Sequence, residues 1–160
     1  MSELSLRPMS QEEYVVWRER SEREYAADIA VARDLDPDAA LAQSAGEFAS
    51  LLPDGLTSPD MHLFTAVLDE GADEEPVGIG WFELRRRASG TSAWIFDIQL
   101  DEDRRGQGLG RALLDALHDA ARGLGASSMT LNVFGDNPTA IRLYETSGYT
   151  VTAQQMKRDL

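Results

Sequence analysis

The chain has 160 residues, a formal net charge of −13 and no cysteine. That length suits one domain, residues 1–160, able to bury its own core, and the missing cysteine excludes disulfides and thiolate metal sites. With 42% hydrophobic and 27% charged residues the composition is globular, and a field of this sign repels nucleic acid and anionic membranes while favouring cationic partners.

The N-terminal stretch MSELSLRPMSQEEY has no apolar signal core, and no run approaches a membrane span. Without an export signal or cysteine, a cytoplasmic location is expected. Residues 3–8 alternate weakly and end at a proline, which predicts a short strand. From Ser10 to about Arg33 the apolar spacing is helical, with Ser10 as N-cap and Glu13 completing a capping box. Asp36-Pro37 opens a second helix reaching about Leu52, and residues 53–56 have turn chemistry. Strands follow at 62–69 and 77–87, joined by the acidic turn EGADEE (70–75) as a hairpin. Another turn, SGTS, leads to a strand over 93–100.

A glycine-rich stretch then opens a helix with Leu109, Leu113, Leu117, Ala120 and Leu124 on one face, ended by Gly123 and Gly125. A strand at 129–134, a helix at 137–148 and one or two closing strands in YTVTAQQMKRDL complete the chain. Consecutive strands early imply antiparallel pairing, and the later strand-helix-strand implies a parallel crossover. His62 and His118 stand in no ligand spacing, so no metal site is expected.

Gly106, Gly108 and Gly110 sit where a helix should begin, at a cost of ~1 kcal/mol each relative to alanine within a helical turn. A strand passing through such a turn into a helix makes an anion site: backbone N–H groups converge, the helix dipole adds positive charge, and missing side chains admit a phosphate. A P-loop would need Lys-Ser/Thr where Arg111-Ala112 stands, and a dinucleotide fingerprint would need glycine at position 111. Neither fits. Arg85, Arg86, Arg87, Arg104, Arg105 and Arg111 cluster around this stretch in the sequence, and Arg104, Arg105 and Arg111 would add charge near a phosphate held there.

Arg105-Gly106-Gln107-Gly108-Leu109-Gly110 does match Arg/Gln-x-x-Gly-x-Gly/Ala, and so resembles the pyrophosphate-binding turn of the GNAT superfamily of acetyl-CoA-dependent N-acetyltransferases. LNVFGDNPTAIRLYETSGY is similar to that family's second signature, with Asn137, Ala140, Leu143, Tyr144 and Gly148-Tyr149 at the expected spacing. The resemblance covers most of 62–160, and LLPDGL resembles a bacterial subgroup. It implies an α/β (α+β) fold with a mixed central sheet of six to seven strands and about four helices.

The resemblance also implies acetyl-CoA as cosubstrate and direct transfer of acetyl to a primary amine in a ternary complex. The acceptor would be a small-molecule or peptide amine, and the enzyme a monomer or homodimer. Arg105, Gly106, Gln107, Gly108, Leu109, Gly110 and Arg111 would hold the pyrophosphate, and the main chain of Ile98, Gln99 and Leu100 the pantetheine arm. Tyr144 corresponds to the tyrosine that protonates the leaving thiolate; its phenol would otherwise pack on the sheet. Asn137 could cap its helix, bond the cosubstrate, or do both. Asp97, an aspartate in an apolar strand, is the candidate base; it could instead be an edge carboxylate paired with arginine, and Glu83 is an alternative base. Tyr14, Trp17, Glu24 and Tyr25 are candidate walls of the acceptor pocket by location. A non-catalytic acyl-CoA-binding sensor or regulatory domain is the alternative to an enzyme.

Overall fold

A computed structural model describes residues 3–69 and 73–160, so the first three residues of the expected acidic turn lie outside it. β1 (Glu3–Pro8) is followed by α1 (Gln11–Ala32) and α2 (Pro37–Leu51), then by β2 (Met61–Asp69), β3 (Glu74–Arg87) and β4 (Gly90–Leu100). After the glycine stretch come α3 (Leu109–Gly123), β5 (Ala126–Leu131) and α4 (Pro138–Thr146). α1 starts where its caps require. The Ser10 hydroxyl accepts from Glu13 N–H, and the Glu13 carboxylate accepts from Ser10 N–H. Glu13 also accepts from Arg7 of β1 and Thr65 of β2, tying the helix start to two strands. No helix among the described residues is long and apolar enough to cross a membrane.

The strands form one sheet in sequential order, β1-β2-β3-β4-β5. The first four pair antiparallel and β5 joins β4 in parallel, so the expected mixed sheet is found. α3 covers one face: Leu113, Leu114, Leu117 and Ala121 bury against Val77, Phe82, Leu84, Ala93 and Ile95. α1 and α2 cover the other, where Tyr14, Trp17, Phe48 and Leu52 meet Leu63 and Trp81. Close approach to α3 requires a bare position in β3, since a Cβ on Gly80 would come within 2.6 Å of Leu117.

The sheet has five strands among the described residues, not six or seven. Residues 149–160 form no strand, and everything from Val151 onward is exposed. The alternation that suggested a strand stops after Ala153; Gln154-Gln155 and Lys157-Arg158-Asp159 leave no apolar face to bury. β5 also lies three residues earlier than its apolar content suggested. Gly125, at φ 93°, turns the chain sharply out of α3 and starts the strand at Ala126.

Candidate active site

The site begins with an irregularity in β4. Trp81 pairs with Asp97, but the next residue of β3, Phe82, pairs with Ile95, leaving Phe96 as an extra residue. Such a bulge shifts the in-out alternation by one. Ala93 and Ile95 face α3 before it, and Ile98 and Leu100 face α3 after it. Phe96 stacks on Trp81, ring centroids 4.7 Å apart, on the α1/α2 side. Asp97 lies on that side as well, where it meets Trp17 of α1. In an unbroken strand Asp97 would share the face of Ile95 and enter the apolar core beneath α3. The bulge turns it away.

Both carboxylate oxygens of Asp97 accept a hydrogen bond. The Trp17 indole N–H donates to Oδ2 at 3.2 Å, and the Gln99 side-chain amide to Oδ1 at 2.9 Å. Neither partner is an arginine, so the edge ion pair allowed by the sequence is not formed. Burial pushes the Asp97 carboxyl up to about 6, with the two hydrogen bonds opposing that rise. Glu83, the other candidate base, bonds Arg85 at 2.8 Å.

β4 and β5 run together only as far as Ile95 and Leu131. β4 continues to Leu100 while β5 ends, so the outer edge of Phe96–Leu100 has no strand partner among the described residues. A cleft of about 180 Å³ opens at this parting, with Phe96, Asp97 and Ile98 on one side and Asn137, Ala140 and Tyr144 of the α4 region on the other. Asp97 and Tyr144 therefore both line this cleft. Burial raises the Tyr144 phenol above its ordinary value, and the charge of Asp97 adds to the effect. Asn137 caps α4, its Oδ1 accepting from Ala140 N–H at 3.1 Å, and also lines the cleft. Glu83 is not among the lining residues.

The glycine turn has the conformation its composition requires at two of three positions. Gly106 and Gly108 have φ of 73° and 79°, and nothing stands within 4 Å of where their side chains would be. Gly108 is the N-cap of α3, which has no side-chain cap, so the first N–H groups of the helix point into an open approach. Gly110 differs: it lies against Leu143 of α4, where a Cβ would make an ordinary 3.5 Å contact. Gln107 donates to the Asp103 carbonyl, and Arg105 to the Leu100 carbonyl at 3.2 Å, bracing the turn against β4.

The arginines scatter. Arg104 pairs with Glu75 of β3. Arg111 bonds the end of α4 through the Thr146 carbonyl, the Thr146 hydroxyl and the Ser147 hydroxyl. Arg85, Arg86 and Arg87 pair with Ser92, Thr91 and Gly90, at the opposite end of β4 from the turn. Neighbourhood in sequence failed there because an 11-residue strand separates the two groups.

Of the suggested acceptor walls, Tyr14 and Trp17 are buried in the α1/α2 core, and Tyr25 bonds Glu47 of α2. Nothing in the local sequence signals that Trp17, 80 positions away, meets Asp97; only the aspartate in an apolar strand hints that some partner exists. Nor does it show that the His118 ring bonds the Tyr149 hydroxyl at 2.8 Å, beside Tyr144.

Residues 12–149 match the model of the acetyltransferase (GNAT) family. The chain is 34% identical over 157 residues to the uncharacterized N-acetyltransferase YycN of Bacillus subtilis, covering 98% of this chain and 99% of that protein. The crystal structure of YycN superposes with a TM-score of 0.87 over 98% of each chain. A shorter match, 44% over 57 residues, covers 36% of this chain and 38% of the ribosomal protein bS18 alanine N-acetyltransferase of Escherichia coli K12. The fold, the family match across both signatures and the full-length similarity agree: this chain is an acyltransferase and belongs to the GNAT family.

Proposed function

We propose that the protein transfers an acetyl group from acetyl-CoA to a primary amine by direct attack, with Asp97 as base and Tyr144 as acid. The observation that carries this reading is the parting of β4 from β5, which frees the edge of Phe96–Leu100 and sets Asp97 and Tyr144 around one cleft.

Acetyl-CoA supplies an acyl group activated as a thioester. The open Gly106–Gly110 turn and the uncapped start of α3 suit its pyrophosphate, and the free edge at Ile98, Gln99 and Leu100 suits the amides of its pantetheine arm. Asp97 takes a proton from the incoming ammonium group. The amine nitrogen then bonds the acyl carbon as the carbon–sulfur bond breaks; the Tyr144 hydroxyl gives its proton to the departing sulfur and regains one as the acylated nitrogen sheds its extra proton to leave the neutral amide, while Asp97 releases its proton to solvent. A carboxyl raised to about 6 is ionised at neutral pH and a stronger base than an ordinary aspartate. A covalent acetyl-cysteine route is excluded, because the chain has no cysteine.

The net charge of −13 favours cationic acceptors, whether small-molecule amines or peptide amines. The bS18 alanine acetyltransferase adds peptide α-amines to the candidates.

The test has two arms. Thiol release from acetyl-CoA is followed across polyamines, aminoglycosides, lysine peptides and alanine-starting peptides, with amine-dependent turnover expected for at least one class. Calorimetry then compares acetyl-CoA with acetyl-pantetheine, and the parent with Gly108→Glu. The truncated thioester should lose most of the affinity, and the variant should lose acetyl-CoA binding while keeping its far-UV spectrum. Equal affinities in either comparison would refute the assignment of the turn.

A further inference from the structure

We propose that Trp17 and Gln99 are positioning residues for acetyl transfer, fixing the orientation in which Asp97 presents its carboxylate to the cleft. The inference rests on the reading of Asp97 as the base.

Three features carry it. The two donors take one oxygen each, Trp17 on Oδ2 and Gln99 on Oδ1, so rotation of the carboxylate would break both bonds. The Trp17 donor is itself immobilised, its ring lying 5.8 Å from Tyr14, 6.0 Å from Phe48 and 5.4 Å from Trp81 between α1, α2 and β3. A donor locked by packing holds its acceptor in one geometry. Finally, the bulge at Phe96 brings Asp97 to the face where these donors lie. A regular strand would not have needed them.

The chemistry of the donors suits a base. Both are neutral and favour the ionised carboxylate by hydrogen bonding alone. An arginine in the same place would bind the carboxylate as an ion pair and hold its basicity low. Around Asp97 the charged neighbours are Arg20 and Glu24 from α1, whose effects oppose each other. α4 contributes Tyr144, which is neutral until strongly alkaline pH, and β3 places the uncharged Trp81 opposite. The indole and the amide are therefore the groups in contact that set how readily this carboxylate ionises against the cost of burial.

The experiment compares the parent with Trp17→Phe, which keeps an aromatic ring, and Gln99→Met, which keeps the length of the side chain. The Asp97 carboxyl is titrated by carbon-13 NMR, and kcat/KM is measured against pH with acetyl-CoA and the best acceptor of the amine panel. Each variant should move the Asp97 midpoint upward by about one pH unit. The acid limb of kcat/KM should follow it, with activity recovering to within a few-fold of the parent by about pH 9. A merely structural role would lower activity at every pH and leave the midpoint where it was. Midpoints unchanged in both variants would overturn the proposal even if Trp17→Phe also proved unstable, since Gln99→Met reports independently. So would shifted midpoints with an unmoved limb, provided that Asp97→Asn abolishes the limb. If Asp97→Asn instead keeps the parent's activity and limb, the base reading itself fails, and the positioning role in transfer falls with it. The NMR midpoints still report separately whether the two donors hold the carboxylate.

Discussion

A Cβ on Gly78 would stand 2.3 Å from the carbonyl oxygen of Gln99. The obstacle is backbone, which cannot swing aside like the end of a side chain. Gly78 pairs with Leu100, so the strain of a larger residue would fall on the stretch of β4 proposed to meet pantetheine. Gly78→Ala should destabilise the fold by ~1–3 kcal/mol, and any folded fraction should bind acetyl-CoA more weakly. Urea denaturation and calorimetry check this. Parent-like affinity would show that the edge tolerates displacement and does not hold the arm.

Tyr144→Phe tests the acid. The phenol hydroxyl makes no hydrogen bond among the described residues, so its removal should leave stability within about 0.5 kcal/mol of the parent. The single-turnover rate should fall by ~10²–10⁴-fold with acetyl-CoA affinity nearly unchanged, because the lost interaction belongs to the transition state. Retention of more than about a third of the parent's rate would assign the proton to water.

Asp97→Asn should remove activity and strengthen the fold. The folded carboxyl titrates near 6 against an ordinary 3.8, so ionised Asp97 opposes folding at pH above 6. That penalty shrinks as pH falls through 6 and is gone below about 3.8. At pH 8 the asparagine variant should therefore be more stable by up to ~3 kcal/mol, with the advantage fading toward pH 4. Denaturation at several pH values measures it. A difference that does not change with pH would mean that burial is not what raises this carboxyl.

Glu13 has the opposite sign. The Arg7 hydrogen bond first, then the Ser10 N–H and the Thr65 hydroxyl, hold its carboxyl at about 2 against the cost of burial. Its contribution is present in full above the ordinary value of 4.5 and is lost as pH falls through 2. Glu13→Gln should cost ~1–3 kcal/mol at pH 7 and little near pH 2. The same loss at both pH values would point to packing rather than charge.

How much of this was legible depended on how local each feature is. The Ser10–Glu13 box, the left-handed turn at Gly106 and Gly108, and the Asn137 cap are contained within a few residues, and each formed as its chemistry requires. The order of elements was readable for the same reason. The bulge at Phe96 was not, because AWIFDIQL alternates plausibly in two registers and only pairing with β3 decides between them. Trp17 and Asp97 lie on elements joined only by tertiary packing. The last strand expected in 149–160 failed because local propensity cannot supply a partner edge or an apolar face.

Arg111 ties the start of α3 to the end of α4. It rises from the first turn of α3 and clasps the last turn of α4 at Thr146 and Ser147, two and three residues beyond Tyr144. Gly110, its neighbour, lets the same turn lie against Leu143. The glycine turn and the helix that carries Tyr144 are thus joined by side-chain hydrogen bonds and by direct packing. Whatever fixes the place of the glycine turn therefore also bears on where α4 holds the Tyr144 ring, since one side chain is fastened to both.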